Sequence, residues 1–218
     1  MSELTKRLLS SILLIPITFF FIIKGSFFFK FFMIFFFLIA AYEWHLLSKK
    51  KDYKIPGFIF LITSIYFTIL LRGNNNFELY IFLFAILTCI STDIGGYVFG
   101  NIFKGPKIIK SISPNKTYAG SIGGYFLSVI LVYFFLKNSY LIGDGLPNYF
   151  GKNEFIFVLL ISTVSQMGDF IISYFKRKSK IKNTGSIIPG HGGLLDRVDG
   201  MIFALPFTYI FFNLFSNY

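Results

Sequence analysis

Four of the ten acidic residues in this chain lie in or beside long apolar runs: Asp93, Asp169, Asp196 and Asp199. A carboxylate next to hydrocarbon is costly unless it is paired, metal-bound or turned toward water. One such aspartate is commonly just the partner of a nearby lysine or arginine. Four near one end of the apolar segments point to a site. Within Ser165–Arg177, the residues Asp169, Ser173, Lys176 and Arg177 fall at i, i+4, i+7 and i+8, which is one face of a helix. That face begins with a carboxylate inside the apolar run and ends with two cations at its edge. Taken alone, Lys176 and Arg177 also suit a polar seam with snorkelling basic residues.

The stretch Gly185–Gly200 has no such plain reading. Gly190, Gly192 and Gly193 allow tight turns and close approach to a ligand, and successive backbone N–H groups in such a turn can cradle an anion. His191 can donate to a phosphate oxygen, and Arg197 can grip one bidentately. Asp196 and Asp199, three apart, can present oxygens to one hard cation. Such a set suits Mg²⁺, which favours a few carboxylates plus substrate phosphates. A second polar stretch runs from Ser91-Thr-Asp93-Ile-Gly95-Gly96-Tyr97 to Ser113-Pro-Asn-Lys116-Thr117. Lys116 and Thr117 should sit at a helix N-terminus, where an anion is favoured. Gly95 and Gly96 equally suit close helix packing. Trp44 and His45, at the end of a span, read as an interfacial anchor without chemistry.

These residues need elements to hold them, and composition says which. Hydrophobic residues make up 55% of the 218 residues and charged ones only 14%, about half the usual share for a soluble domain. The apolar excess falls into seven segments: Leu8–Ile23, Phe27–Leu47, Pro56–Leu71, Phe77–Phe99, Tyr118–Leu136, Glu154–Phe175 and Met201–Phe215. A membrane span needs roughly 20 residues, so the fold class is all-α, a polytopic integral membrane bundle of about seven helices. We read residues 1–218 as one membrane domain, with N-terminal spans over 1–76 and the chemistry-bearing part over 77–218. Lys6 and Arg7 precede an apolar stretch with no small-residue cleavage site, which reads as a retained first span. The single Cys89 excludes an intrachain disulfide or a cysteine-based metal site.

The net charge of +11 follows the loops. With the N-terminus placed in the cytoplasm, 16 of the 21 lysines and arginines face inward, as the positive-inside rule expects. The basic charge therefore calls for no nucleic acid. The two long inward loops, Gly100–Thr117 and Lys176–Gly200, carry the chemistry-bearing residues.

Residues 173–199 closely resemble the signature of phosphatidate cytidylyltransferases, the CDP-diacylglycerol synthases. The matching positions are Ser173, Lys176-Arg177, Lys182, Pro189-Gly190-His191-Gly192-Gly193 and Asp196-Arg197-Val198-Asp199. Asp93-Ile-Gly-Gly-Tyr97, Ser113-Pro-Asn-Lys-Thr117 and Gln166-Met-Gly-Asp169 also look like motifs of that family. The chain departs from the pattern at Asn183, where the family has Asp after Lys, and at Tyr118-Ala119-Gly120, where many members carry Trp-Glu-Gly.

The resemblance implies that phosphatidate and CTP give CDP-diacylglycerol and pyrophosphate, a step of phospholipid biosynthesis. It implies Mg²⁺ on Asp169, Asp196 and Asp199, with room for a second cation. Lys176, Arg177, His191 and Arg197 would act with them in catalysis. Asp93, Ser113, Lys116, Thr117, Ser173, Lys182, Gly190, Gly192 and Gly193 would bind substrate. The expected setting is the cell inner (cytoplasmic) membrane, multi-pass, with the site facing the cytoplasm. Self-association as a homodimer is an expectation from size and class alone. Three rivals stay open: a transporter of a phosphorylated solute, an enzyme acting on an ether-linked lipid phosphate, and a relative that has lost catalysis with its acids at positions 119 and 183.

Overall fold

The computed structural model describes residues 3–139, 154–190 and 192–215. Helices α1 (Glu3–Lys24), α2 (Ser26–Leu47) and α3 (Lys54–Arg72) come first. They are followed by α4 (Asn76–Phe103), α5 (Tyr118–Ser139), α6 (Glu154–Lys178), the single turn α7 (Leu195–Val198) and α8 (Met201–Phe215). Among the described residues there are no strands, only two isolated bridges, Lys107 with Thr117 and Ile188 with Gly192. The expected all-helical bundle is thus the observed one.

Six helices, α1 to α6, are long and apolar enough to cross a membrane. The seventh expected span, α8, has 15 residues. At 1.5 Å per residue it reaches about 22 Å, short of a hydrocarbon core of about 30 Å. Large apolar side chains on α1 and α2 face outward, among them Ile12, Ile15, Phe27 and Phe31, each more than half exposed. A water-soluble bundle would bury that stripe, whereas lipid solvates it. The chain is a multi-pass membrane protein.

Local chemistry sets several helix boundaries. The Asn75 side chain accepts from the Glu78 N–H at 2.8 Å, and the Glu78 carboxylate accepts from the Asn75 N–H at 3.1 Å. This reciprocal box starts α4. The Thr117 hydroxyl accepts from the Gly120 N–H at 3.0 Å and starts α5. Close to the Asn75 box in sequence, buried Arg72 donates to the carbonyls of Ile22, Ile23 and Gly73. It thereby satisfies open carbonyls at the end of α1.

Helices α4 and α5 pack most closely, because glycines line their contact. A Cβ at Gly95 would lie 2.4 Å from the Gly123 carbonyl oxygen, and one at Gly120 would lie 2.7 Å from that of Gly96. Small residues let membrane helices approach to backbone contact. Helix α6 lies against both α4 and α5. The Thr92 hydroxyl donates to Ser162 at 2.8 Å, so a polar seam runs between α4 and α6 toward the two long loops. Trp44 is buried rather than exposed at an interface. It donates to the Lys54 carbonyl at 3.1 Å and packs edge-on against Phe175.

Candidate active site

The polar seam ends in a run of alternating charges. Lys116, just ahead of α5, reaches Asp169 on α6 at 2.7 Å, and its ammonium lies 4.5 Å from the centre of the Phe170 ring. About two turns further along α6, buried Lys176 reaches Asp196 at 2.9 Å and Asp199 at 3.9 Å. Asp199 is close enough to Asp169, and Asp93 on α4 close enough to both Asp169 and Lys116, to feel their charges. Four carboxylates from three separate stretches therefore meet two lysines at one end of the bundle.

The cluster is short of positive charge. Burial pushes the Asp199 carboxyl well above the usual carboxylate range, and the charge of Asp169 pushes the same way, while Lys176 and Lys116 oppose it. One oxygen of Asp169, Oδ1, is buried without a hydrogen-bond partner among the described residues, as is the Ser165 hydroxyl beside it. A Cβ at Gly200 would lie 3.0 Å from that Asp169 oxygen and 2.4 Å from the Ser165 hydroxyl, so glycine at 200 lets the chain pass this close. A buried acceptor left unpaired is a place where a cation or a donor gains most.

Asp196 is differently placed. Its Oδ1 takes Lys176, and its Oδ2 accepts the N–H groups of Thr184 at 2.9 Å and Gly193 at 3.1 Å. The expected set Asp169, Asp196 and Asp199 does not converge in this arrangement: Lys176 stands between Asp196 and Asp199, and backbone donors hold the far oxygen of Asp196. Among the described residues no three Asp, Glu, His or Cys side chains converge on one point. Mg²⁺ commonly needs only one or two carboxylates, the rest being phosphate and water. Asp169 with its open oxygen, and Asp199 next to it, fit that smaller set.

The remaining expected residues divide. Thr117 is buried as a helix cap, and Ser173 lies half-buried on α6 between Asp169 and Lys176. Arg177 is exposed and donates to the carbonyls of Ile112 at 3.2 Å and Ile181 at 3.4 Å, tying the loop before α5 to the end of α6. Ser113 lies in that tied loop, and Lys182 and Arg197 are exposed. Gly190 and Gly192 have φ of 76° and 89°, which favour glycine. Gly193 instead answers to space, since a Cβ there would lie 2.1 Å from the Thr184 hydroxyl. His191 lies outside the described residues.

Glu43 did not figure among the expected residues, yet it is fully buried against this loop and accepts three hydrogen bonds from it. The rule applied to the four aspartates would have found it, because Glu43 also interrupts an apolar run. Two contacts from α1 were likewise not anticipated. Arg7 donates to the Gly190 carbonyl at 2.8 Å, and Ser10 to that of Pro189 at 3.2 Å.

A multi-pass helical membrane protein with lysine–aspartate pairs gathered at one end of the bundle is the class this geometry defines. The model of the cytidylyltransferase family matches residues 57–215, and the chain belongs to that family. Among curated relatives, phosphatidate cytidylyltransferase of Brucella suis biovar 1 is 39% identical over 150 residues, covering 68% of this chain and 52% of that protein. The Rickettsia typhi protein of the same name is 35% identical over 182 residues, covering 79% and 74%. That of Bacillus subtilis is 33% identical over 158 residues, covering 72% and 56%. The chain spans about half the length of several curated relatives it matches.

Proposed function

We propose that the chain transfers the cytidylyl group of CTP to phosphatidate, giving CDP-diacylglycerol and pyrophosphate. The observation that carries this reading is the under-neutralised cluster of Asp93, Asp169 and Asp199 beside Lys116 and Lys176, in a chain similar to proteins named for that reaction. An oxygen of the lipid phosphate forms a bond to the α-phosphorus of CTP, and the bond from that phosphorus to the pyrophosphate oxygen breaks. The attacking oxygen is already ionised near neutral pH, so no side chain need act as a strong base. The barrier lies in bringing two polyanions together.

Lys116 and Lys176 meet that barrier by exchanging a carboxylate partner for phosphate oxygens, which screens the charge as the new bond forms. Asp169 and Asp199 are the residues that would hold Mg²⁺, which supplies Lewis-acid and charge-neutralising chemistry to phosphoryl transfer. Asp196 and Gly193 keep the loop folded against α6. The charge asymmetry of the loops supports a cytoplasmic site in the cell inner membrane, reached by CTP from water and by the lipid from the bilayer.

The test is conversion of labelled CTP by purified protein in detergent with phosphatidate and Mg²⁺, beside Asp169→Asn. The expected result is phosphatidate-dependent product that is lost on chelation and in the variant. Absence of product from well-folded protein with phosphatidate and with an ether-linked analogue overturns the proposal.

A further inference from the structure

We infer that Glu43 is a positioning residue: a buried carboxylate on α2 that clamps both ends of the 184–195 loop and so sets where Asp196 and Asp199 stand. Glu43 is fully buried near the end of α2. Its Oε1 accepts the Leu194 N–H at 2.8 Å. Its Oε2 accepts the Leu195 N–H at 2.9 Å and the Thr184 hydroxyl at 2.9 Å. Among the described residues no lysine or arginine pairs with it. A buried carboxylate without a cation is tolerated only when hydrogen bonds replace its lost water, and here every such bond comes from the loop.

The contact is reciprocal. Thr184 gives its hydroxyl to Glu43 and its N–H to Asp196, so the two carboxylates share one loop residue. A Cβ at Gly185 would lie 2.8 Å from Glu43 Oε1, and one at Gly193 would lie 2.6 Å from Oε2. The loop backbone thus closes around the Glu43 carboxylate, leaving no room for side chains at either position. Leu195, whose N–H Glu43 holds, immediately precedes Asp196, which pairs with Lys176. Glu43 also lies outside residues 57–215 that match the family model, so an N-terminal helix beyond that match governs the geometry of the loop. Glutamine cannot replace it, because a carboxamide offers one acceptor oxygen and turns an N–H₂ toward donors.

The test measures loop opening and catalysis separately. Leu195 is fully buried, so in a Cys89→Ala background the thiol introduced by Leu195→Cys reports opening by its maleimide labelling rate. Native Cys89, also fully buried and the sole cysteine, reports general loosening in chains that keep it. Glu43→Gln, and independently Thr184→Val from the other side of the contact, are expected to speed labelling at position 195 by roughly ten- to a hundredfold, the value of a hydrogen bond to a charged group. Labelling of Cys89 should not change.

With CTP and phosphatidate, Glu43→Gln should lower kcat by a similar factor and KM for CTP by no more than about twofold, and adding Thr184→Val should cost little more. Unchanged labelling at position 195, or equal acceleration at Cys89, overturns the inference. The kinetic arm rests on the proposed reaction and the labelling arm does not. A parent chain that turns over no CTP, yet opens its loop in Glu43→Gln, would refute the reaction and leave the clamp standing.

Discussion

Two groups of carboxylates meet at this end of the bundle, and they are built in opposite ways. Glu43 and Asp196 are saturated: six donors from Lys176 and the 184–195 loop sit on their four oxygens. Asp169 and Asp199 are underfilled. Asp169 has one lysine and one bare buried oxygen, and Asp199 has only the Gly200 N–H at 3.2 Å and Lys176 at 3.9 Å. Saturated carboxylates build structure, since their hydrogen bonds hold a loop that has no regular backbone ladder. Underfilled carboxylates keep capacity for a ligand.

The contrast can be broken most directly by neutralising one member of each group. Asp169→Asn should reduce turnover by about a thousandfold, the scale of losing a group that stabilises transition-state charge, with thermal stability in detergent nearly unchanged. Asp196→Asn should reduce turnover as well but also destabilise the fold by about 3 kcal/mol, because it strands buried Lys176 and turns an amide toward two backbone donors. Membrane insertion should survive in both. Equal melting temperatures for the two variants would show that the distinction between building and binding carboxylates is mistaken.

A smaller effect sharpens the saturated side. Gly193→Ala should cost about 1–3 kcal/mol by overpacking, because its Cβ would overlap both the Thr184 hydroxyl and Glu43. The smallest effect belongs to a paired control on α4. Gly95→Ala should weaken the α4–α5 contact, whereas Gly96→Ala should be nearly neutral, its Cβ meeting nothing nearer than 3.8 Å. Thermal unfolding of the two single variants in detergent checks this.

The α4–α5 glycines were partly legible in the sequence, since close helix packing is one of few reasons for paired glycines in an apolar span. Their division of labour was not, because which glycine meets a carbonyl depends on helix rotation. Arg177 shows the same limit. Its spacing from Asp169 was read correctly as one helical face, but its side chain turns to the carbonyls of Ile181 and of Ile112, the latter a loop contact 65 residues away that no local pattern encodes.

Long apolar runs, with most of the basic charge in the loops on one side, were enough by themselves to determine an all-helical membrane protein, because lipid accepts no other backbone arrangement of such runs, but they gave seven segments where six helices are long enough to cross. The order of Asp, Lys, Gly and Arg in the last third of the chain also marked the stretch whose charged residues the fold gathers at one end of the bundle. Only the tertiary structure decided which carboxylates are filled and which are open. That depends on donors arriving from distant residues, as when Leu194 and Leu195 meet Glu43 across some 150 positions of chain, and hydrogen bonds of that range form only once the helices have packed.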